Sequence, residues 1–363
     1  MLYSLPDELL VAIVEYCDHQ TRKNLSLVSR RLRSPSQCII LKTVYISRNA
    51  FDTVVRRFAV KGGGHLPEVI QDHRLLSYIQ TFVMYPGEAS HHLEMNTIGA
   101  LFTALHQMQS LRNIKLVGIP FTTTMLDRFC EVLSTRLYNV ELWACSYPAD
   151  YIIQQTVLKL HRLKLVLGRE WIDIASPPTT TKALVAIIER SLSSISSLTL
   201  SSGLGLLAYF GTMPRLTSLN ILLRSARNYE GLSDFLVANP QLVEFALDGP
   251  IYNLSPLPPS ALPNLSTIRA SVGLIRHLLP GRRVAAVEIC KSPKAKIMVN
   301  GLRALSHSAA PIVELTLHLH YYFTRLNDIL DAVVERVPRL ESIWLSFHAE
   351  VRSILIKMHF SLY

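Results

Sequence analysis

The chain has 363 residues, of which 49% are hydrophobic and 18% are charged, and its formal net charge at pH 7 is +10. This composition supplies enough apolar material for a large core and argues against extended disorder. No apolar run approaches the roughly 18 residues that a membrane span requires. The basic residues are spread along the chain, which favours an ordinary solvated surface over a nucleic-acid site. We therefore expect neither a membrane nor a nucleic acid as partner.

The beginning of the chain and its cysteines indicate where the protein works. Asp7 and Glu8 stand where a secretory signal would be basic and then apolar, so we expect an intracellular protein of the cytoplasm, the nucleus or both. The cysteines are scattered without CxxC spacing, which predicts reduced, buried thiols and no zinc site. They are Cys17, Cys38, Cys130, Cys145 and Cys290.

Short helices are predicted in the first forty residues. Pro6 stands near the first helix start, and Asp7 and Glu8 follow in the first turn, where negative charge is favourable. Residues 18–21 break the pattern, and a second helical stretch follows that we expect to end at Ser34-Pro35. Helices this short bury little core by themselves, so they either cap the rest of the fold or dock a partner.

The same residues resemble the F-box, whose familiar form is LPxELLxxI followed by LxxVSRRxR. The matching segments are Leu5–Leu10, Ile13-Val14 and Leu25–Arg33, and the tryptophan that often closes the motif is missing from residues 38–45. The resemblance implies docking to the Skp-type adaptor of an SCF (Skp–cullin–F-box) ubiquitin ligase. By this resemblance the candidate adaptor contacts are Leu5, Pro6, Leu9, Ile13, Leu25 and Val28. Sequence cannot separate residues that contact the adaptor from residues that hold the helices together.

A short apolar triplet, with two residues and then one residue between its members, recurs through the rest of the chain. It runs from Leu41/Val44/Ile46 to Leu340/Ile343/Leu345, and from Leu111 onward most spacings lie near the leucine-rich-repeat range. Prolines often precede the triplet and would end a helix there, at Pro214, Pro240, Pro263 and Pro338. Helix-like segments lie between triplets, at Thr124–Arg136, Thr181–Leu192, Leu232–Val237 and Leu326–Val337.

Stacked strand–helix units of this length predict an α/β solenoid. We expect all-α F-box helices over residues 1–45 and an irregular leucine-rich-repeat horseshoe over residues 46–363, similar to the repeats of fungal F-box proteins. The regular asparagine ladder is missing, and only Cys145 fits its position. A doubly wound α/β sheet also combines strands with helices and is the alternative.

Side chains that alternate with the apolar strand positions would line the concave face, where such solenoids hold their partners. The candidates for target contact are Lys115, Trp143, Arg162, Lys164, Arg269, His318 and Trp344. Tryptophan and arginine carry much of the binding energy at interfaces, although the tryptophans would also serve as packing between repeats. The basic residues among them fit an acidic or phosphorylated target, or equally a solvated face.

Signals of catalysis are weak. No GxSxG motif occurs, and His318 and His320, which would share a strand face, lack a third metal ligand at helpful spacing. We expect no enzymatic activity, cofactor or metal. The leading hypothesis is a substrate-recognition adaptor whose partners are a Skp-type adaptor, the cullin ligase core and an unknown protein target. The alternative is a repeat scaffold that never engages a ligase, and an α/β enzyme is the hypothesis from another class.

Overall fold

The computed structural model divides the chain into two compact units, Met1–Leu163 with Pro178–Ser191, and Lys164–Pro177 with Leu192–Tyr363. The residues that the structure describes are 5–46, 73–85, 102, 104–135, 137–148, 157–166, 181–201, 207, 210–223, 231–249, 257–290, 295–320, 326–348 and 353–359. The first unit holds both the N-terminal helices and the first strands. The domain boundary predicted at residue 45 stays a prediction.

Three helices open the first unit: α1 (Asp7–Tyr16), α2 (His19–Val28) and α3 (Arg30–Leu41). The Asp18 carboxylate accepts hydrogen bonds from the backbone N–H groups of Gln20 and Thr21 and so caps the start of α2. The buried cluster that joins the helices is small. It consists of Leu10, Val14 and Leu32, with Leu5, Leu25 and Ile39 partly buried against it.

The prediction that the helical stretch ends at Ser34-Pro35 is wrong, because Pro35 lies inside α3. A proline in this position removes one helical hydrogen bond. The helix continues because the residues after Pro35 still have an apolar surface to pack on, and Ile39 lies against the buried cluster. Tertiary packing outweighs the local preference here.

The first unit continues with parallel strands and with helices between some of them. They are β1 (Thr43–Ile46), α4 (His73–Leu76), β2 (Thr81–Met84), β3 (Asn113–Val117), α5 (Thr123–Thr135), β4 (Asn139–Trp143) and α6 (Thr181–Ser191). Strand β1 pairs with β2, β2 with β3, and β3 with β4, each time in parallel. Strand β5 (Arg162–Val166) contains the division between the two units.

The second unit repeats the same arrangement. Its elements are β6 (Ser197–Ser201), β7 (Ser218–Leu222), α7 (Leu232–Ala238), β8 (Glu244–Asp248), β9 (Thr267–Ala270), α8 (Val272–Leu278), β10 (Ala286–Ile289), α9 (Ala295–Leu305), β11 (Glu314–His320), α10 (Leu326–Arg336), β12 (Ser342–His348) and β13 (Ser353–His359). Strands β6 to β12 pair in parallel with their sequence neighbours. Strand β13 pairs with β12 in the antiparallel sense, and the triplet pattern did not predict it.

Strand order within each unit follows chain order, which confirms the predicted α/β solenoid class. A doubly wound sheet would instead reverse its strand order at a switch point. In strands β2 to β12 the predicted triplets supply the buried side. In β3, for example, Ile114 and Leu116 are buried and Lys115 between them is not. Pro240 and Pro338 stand in turns directly after α7 and α10, as the sequence predicts.

Candidate docking surfaces

Helix α1 carries two apolar stripes. Leu10 and Val14 are buried in the helical cluster. Leu9, Ile13 and Tyr16, spaced by four and three residues, form a second stripe and are 50%, 42% and 95% exposed. Residues at this spacing lie one above another on the same helix face. An amphipathic helix normally has one apolar stripe, so the second one is a surface suited to a partner.

The end of α2 adds more uncovered apolar surface. Leu27 is 77% exposed and Val28 is 80% exposed. Leu25, two residues before Leu27, packs instead against the buried cluster. We call the exposed residues Leu9, Ile13, Tyr16, Leu27 and Val28 together the helical apolar face.

The structure separates the predicted adaptor contacts into two groups. Leu5 and Leu25 are partly buried against the helical cluster, and Pro6, Leu9, Ile13 and Val28 are exposed. Sequence reasoning missed Leu27 and Tyr16. Helical spacing is the sequence feature that could have indicated them. Leu27 stands two residues after Leu25 and so points away from it, and Tyr16 stands three residues after Ile13 and so lies on the same helix face.

Hydrogen bonds from two arginines tie α1 to the other helices. From α2, Arg22 donates through Nε to the carbonyl of Val14 at 2.9 Å and through Nη2 to the carbonyl of Glu15 at 2.6 Å. From α3, Arg31 donates through Nη2 to the carbonyl of Leu5 and to Asp7 Oδ1, the latter at 3.3 Å. Both ends of α1 are therefore held by charged donors.

A compact polar and aromatic cluster lies on the strand face of the first unit. Lys115 Nζ lies 3.6 Å from Glu141 Oε2, 4.4 Å from the centre of the Trp143 ring and 5.4 Å from that of the Tyr85 ring. The Trp143 indole N–H donates to the same Glu141 oxygen at 3.0 Å. The hydrogen bond with Tyr85 and the carboxylate of Glu141 raise the pKa of Lys115 against the opposing effect of burial. We call Tyr85, Lys115, Glu141 and Trp143 the lysine–aromatic cluster.

A row of polar side chains stands beside this cluster at the beginnings of the strands. Asn139 Nδ2 donates to Asn113 Oδ1 at 2.6 Å, and Asn113 Nδ2 donates to Thr81 Oγ1 at 3.1 Å. These side chains occupy directly paired positions of β2, β3 and β4. The row fixes the register of the strands that present the lysine–aromatic cluster.

Lys115, Arg162 and Lys164 were predicted as a basic group, but Lys115 forms an ion pair with Glu141. Arg162 is exposed, and Lys164 follows it at the next outward position of β5. The charge of Lys115 is compensated by Glu141. An acidic target would therefore have to compete with an internal carboxylate at Lys115.

Charges alternate across the strand face of the second unit. Arg269 on β9 lies 3.8 Å from Asp248 and 3.3 Å from Glu288, between nitrogen and carboxylate oxygen. His318 Nε2 lies 2.5 Å from Glu288 Oε1. The hydrogen bond with His318 and the charge of Arg269 hold the pKa of Glu288 below its ordinary value, although burial acts in the opposite direction.

Trp344 lies further along the same strand face, half-buried on β12. Lys357 Nζ on β13 lies 4.6 Å from the centre of the Trp344 ring, a cation–π distance. The two residues occupy directly paired positions. Both predicted tryptophans of the described strands thus stand on the outward side of their sheet, each beside a lysine.

No group of histidine, cysteine or acidic side chains within the described ranges has a geometry that could hold a metal ion. The side chain of His320, considered with His318 as a possible chelating pair, lies outside the described residues. The described cysteines form no disulfides, and burial raises the pKa of Cys290 to about 11. None of the helices traced in these ranges has the length and apolar character of a membrane span.

Comparison with known families identifies the N-terminal helices. Residues 2–34 match the F-box domain, so the chain carries an F-box domain followed by strand–helix repeats. No curated protein matches the chain in sequence. Among solved structures, the chain is similar to the leucine-rich repeat-containing protein LegL7 from Legionella pneumophila, with 14% identity, a TM-score of 0.43, and coverage of 86% of this chain and 92% of that one.

Proposed function

We propose that this chain is a substrate-recognition adaptor of an SCF-type ubiquitin ligase. The F-box helices dock a Skp-type adaptor and thereby the cullin core, and the strand faces hold the protein target. The observation that carries the proposal is the helical apolar face, all of whose residues lie within the F-box match at residues 2–34. Burying such side chains contributes about 1.5–3 kcal/mol each when they are fully removed from water.

The docking site we propose differs in detail from the six residues predicted from sequence. Leu9, Ile13 and Val28 keep the predicted role, and Leu27 and Tyr16 join them because they are the most exposed apolar neighbours. Leu5 and Leu25 support the surface from below, since both pack on the buried cluster. Pro6 is exposed beside the start of α1 and stays a candidate contact.

Calorimetric titration of the whole chain with a Skp-type adaptor tests this docking. The double variant Leu9→Asp with Val28→Asp is expected to weaken binding by at least about a hundredfold, because an unpaired carboxylate would be buried in an apolar contact. Val334→Asp is the matched control, since Val334 is 66% exposed on α10 of the second unit. Equal affinity of the double variant and the control would refute the docking site. A wild-type chain that binds no Skp-type adaptor would leave the repeat scaffold as the better hypothesis.

For the target, we propose the lysine–aromatic cluster as the main anchor in the first unit. Trp143 combines a large ring with a neighbouring cation, and tryptophans of this kind often dominate binding energy. Proteins captured from cells under proteasome inhibition are expected to depend on Trp143, whereas capture of the Skp-type adaptor is not. Trp143→Ala should therefore lose target proteins and keep the adaptor. Unchanged capture of every target would contradict this anchor.

In this proposal, the alternating charges of Asp248, Arg269, Glu288 and His318 in the second unit supply further target contacts. Arg269 and His318 stand on the outward strand face, and Trp344 lies on the neighbouring strand β12. Their charges are already partly satisfied by Glu288, so a target would bind by matching the alternating pattern rather than by neutralising a basic patch. Charge reversal at Arg269 should lower target capture more than reversal at Arg303, an exposed arginine on α9.

A further inference from the structure

We propose that Arg22 and Arg31 are positioning residues that preorganise the helical apolar face for the Skp-type adaptor. This inference rests on the proposed function. It goes beyond it, because neither arginine belongs to the apolar face. They act by fixing α1, which carries Leu9, Ile13 and Tyr16, relative to the end of α2, which carries Leu27 and Val28.

The need for such ties follows from the size of the helical core. The buried cluster beneath the face contains only Leu10, Val14 and Leu32, with three partly buried neighbours. So small a cluster contributes limited stability and leaves the orientation of α1 weakly determined. A partner that contacts two helices at once gains most when their relative orientation is fixed before binding.

Arg22 fixes the end of α1. Val14 and Glu15 belong to the last turn of α1, where carbonyls lack the usual intrahelical partners. The Val14 carbonyl accepts the backbone N–H of the capping residue Cys17 at 3.2 Å and has a second lone pair for Arg22. The guanidinium of Arg22 donates to both carbonyls from the first turn of α2, and its positive charge is favourable at a helix C-terminus. One planar group thus joins the last turn of α1 to the first turn of α2.

Arg31 fixes the beginning of α1. It stands in the first turn of α3 and donates to the carbonyl of Leu5 and to the carboxylate of Asp7. Leu5 is also packed on the buried cluster, so this tie fixes both the main chain and the side chain of the segment that leads into α1. The two arginines therefore restrain α1 at opposite ends.

The chain offers a neighbouring control for each tie. Lys23 and Arg30 are exposed, stand directly beside Arg22 and Arg31, and have the same charge. The Lys23 carbonyl accepts a hydrogen bond from the Ser26 hydroxyl, but neither basic side chain forms a hydrogen bond or ion pair with a described residue. If affinity depends on net charge, substitution to glutamine should weaken adaptor binding equally at all four positions. If affinity depends on helix positioning, only the substitutions at Arg22 and Arg31 should weaken it.

The experiment titrates a Skp-type adaptor into the whole chain and its single variants by calorimetry. Arg22→Gln and Arg31→Gln are each expected to bind about tenfold more weakly, with unchanged stoichiometry and a less favourable binding entropy. Lys23→Gln and Arg30→Gln should stay within about twofold of the wild type. Arg22→Lys keeps the charge but not the planar pair of donors, so it should lie between Arg22→Gln and the wild type.

Hydrogen exchange adds a readout that separates positioning from unfolding. In the free Arg22→Gln chain the amides of α1 should exchange faster while those of β3 and β4 keep their protection, and adaptor binding should restore α1. A fall in stoichiometry at unchanged affinity would mean unfolding and would overturn the inference, as would equal weakening by all four glutamine variants. Wild-type binding with no effect of Arg22→Gln overturns this inference alone. Absence of wild-type binding overturns the proposed function as well.

Discussion

Substituting Arg282 should destabilise the second unit far more than substituting its neighbour Arg283. Arg282 is only 1% exposed, although it carries a full positive charge. Its guanidinium donates to the carbonyls of Ala261 and Leu278 at 2.8 Å each and to that of Pro258 at 2.9 Å. It thus joins the loop before β9 to the end of α8, the elements that flank the strand bearing Arg269.

The magnitude follows from the groups left behind. Methionine fills much of the arginine volume but donates no hydrogen bond, so five carbonyls lose a charged donor, including those of Pro280 at 3.2 Å and His277 at 3.4 Å. The three shortest bonds are worth about 1.5–3 kcal/mol each. The favourable transfer of a methionine side chain from water and the removed cost of burying a charge offset part of this loss. We expect Arg282→Met to lower the free energy of unfolding of the second unit by about 3–5 kcal/mol. Arg283→Met, at an exposed position, should change it by less than about 0.5 kcal/mol.

Hydrogen exchange under native conditions measures this difference locally, because the opening free energy of residues 257–290 is read without assuming two-state unfolding of the whole chain. The peptides from α5 and β4 in the first unit serve as an internal reference. Equal protection of residues 257–290 in Arg282→Met and Arg283→Met would refute the idea that the buried guanidinium holds these segments together.

Other predictions follow from the charges and thiols of the sheets. The pKa of Glu288 is lower in the folded state than its ordinary 4.5, so its carboxylate stabilises the fold above that pH and the contribution is lost as the pH falls through the lower folded value. Glu288→Gln should therefore melt below the wild type at pH 7, and the gap should close in acid; a gap that widens in acid would contradict the assigned pair with His318. Burial raises the pKa of the Cys145 thiol to about 12. Cys145 should consequently resist alkylation at pH 8 while the half-buried Cys17 reacts, which mass spectrometry of the labelled peptides can check; fast labelling of Cys145 in the native protein would show that its strand opens readily.

Much of the repeat architecture could be predicted from sequence because the signal is periodic. The apolar triplets place β1 to β12, and the helical spacing places α5, α6, α7 and α10 to within a residue or two. Strand β13 was not predicted, because it pairs antiparallel with β12 and its apolar residues alternate without following the triplet spacing. The helix break at Pro35 was predicted from a local preference that packing of Ile39 overrides.

The site was less predictable because it depends on which residues meet across elements. The apolar positions of α1 merge into one broad stripe in the sequence, yet the fold divides them into the buried Leu10 and Val14 and the exposed Leu9 and Ile13. The lysine–aromatic cluster requires the strand register that places Lys115 opposite Glu141. Likewise, nothing local distinguishes Arg282, whose side chain is buried, from Arg283, which is exposed.

Site-directed photocrosslinking tests most directly whether the helical apolar face binds the Skp-type adaptor. A benzoyl-phenylalanine placed at Leu27, which is 77% exposed, should crosslink to a Skp-type adaptor in the assembled complex. The same group placed at Val334 on α10 should not. Crosslinking from Val334 but none from Leu27 would contradict the assignment of the helical apolar face as the adaptor interface.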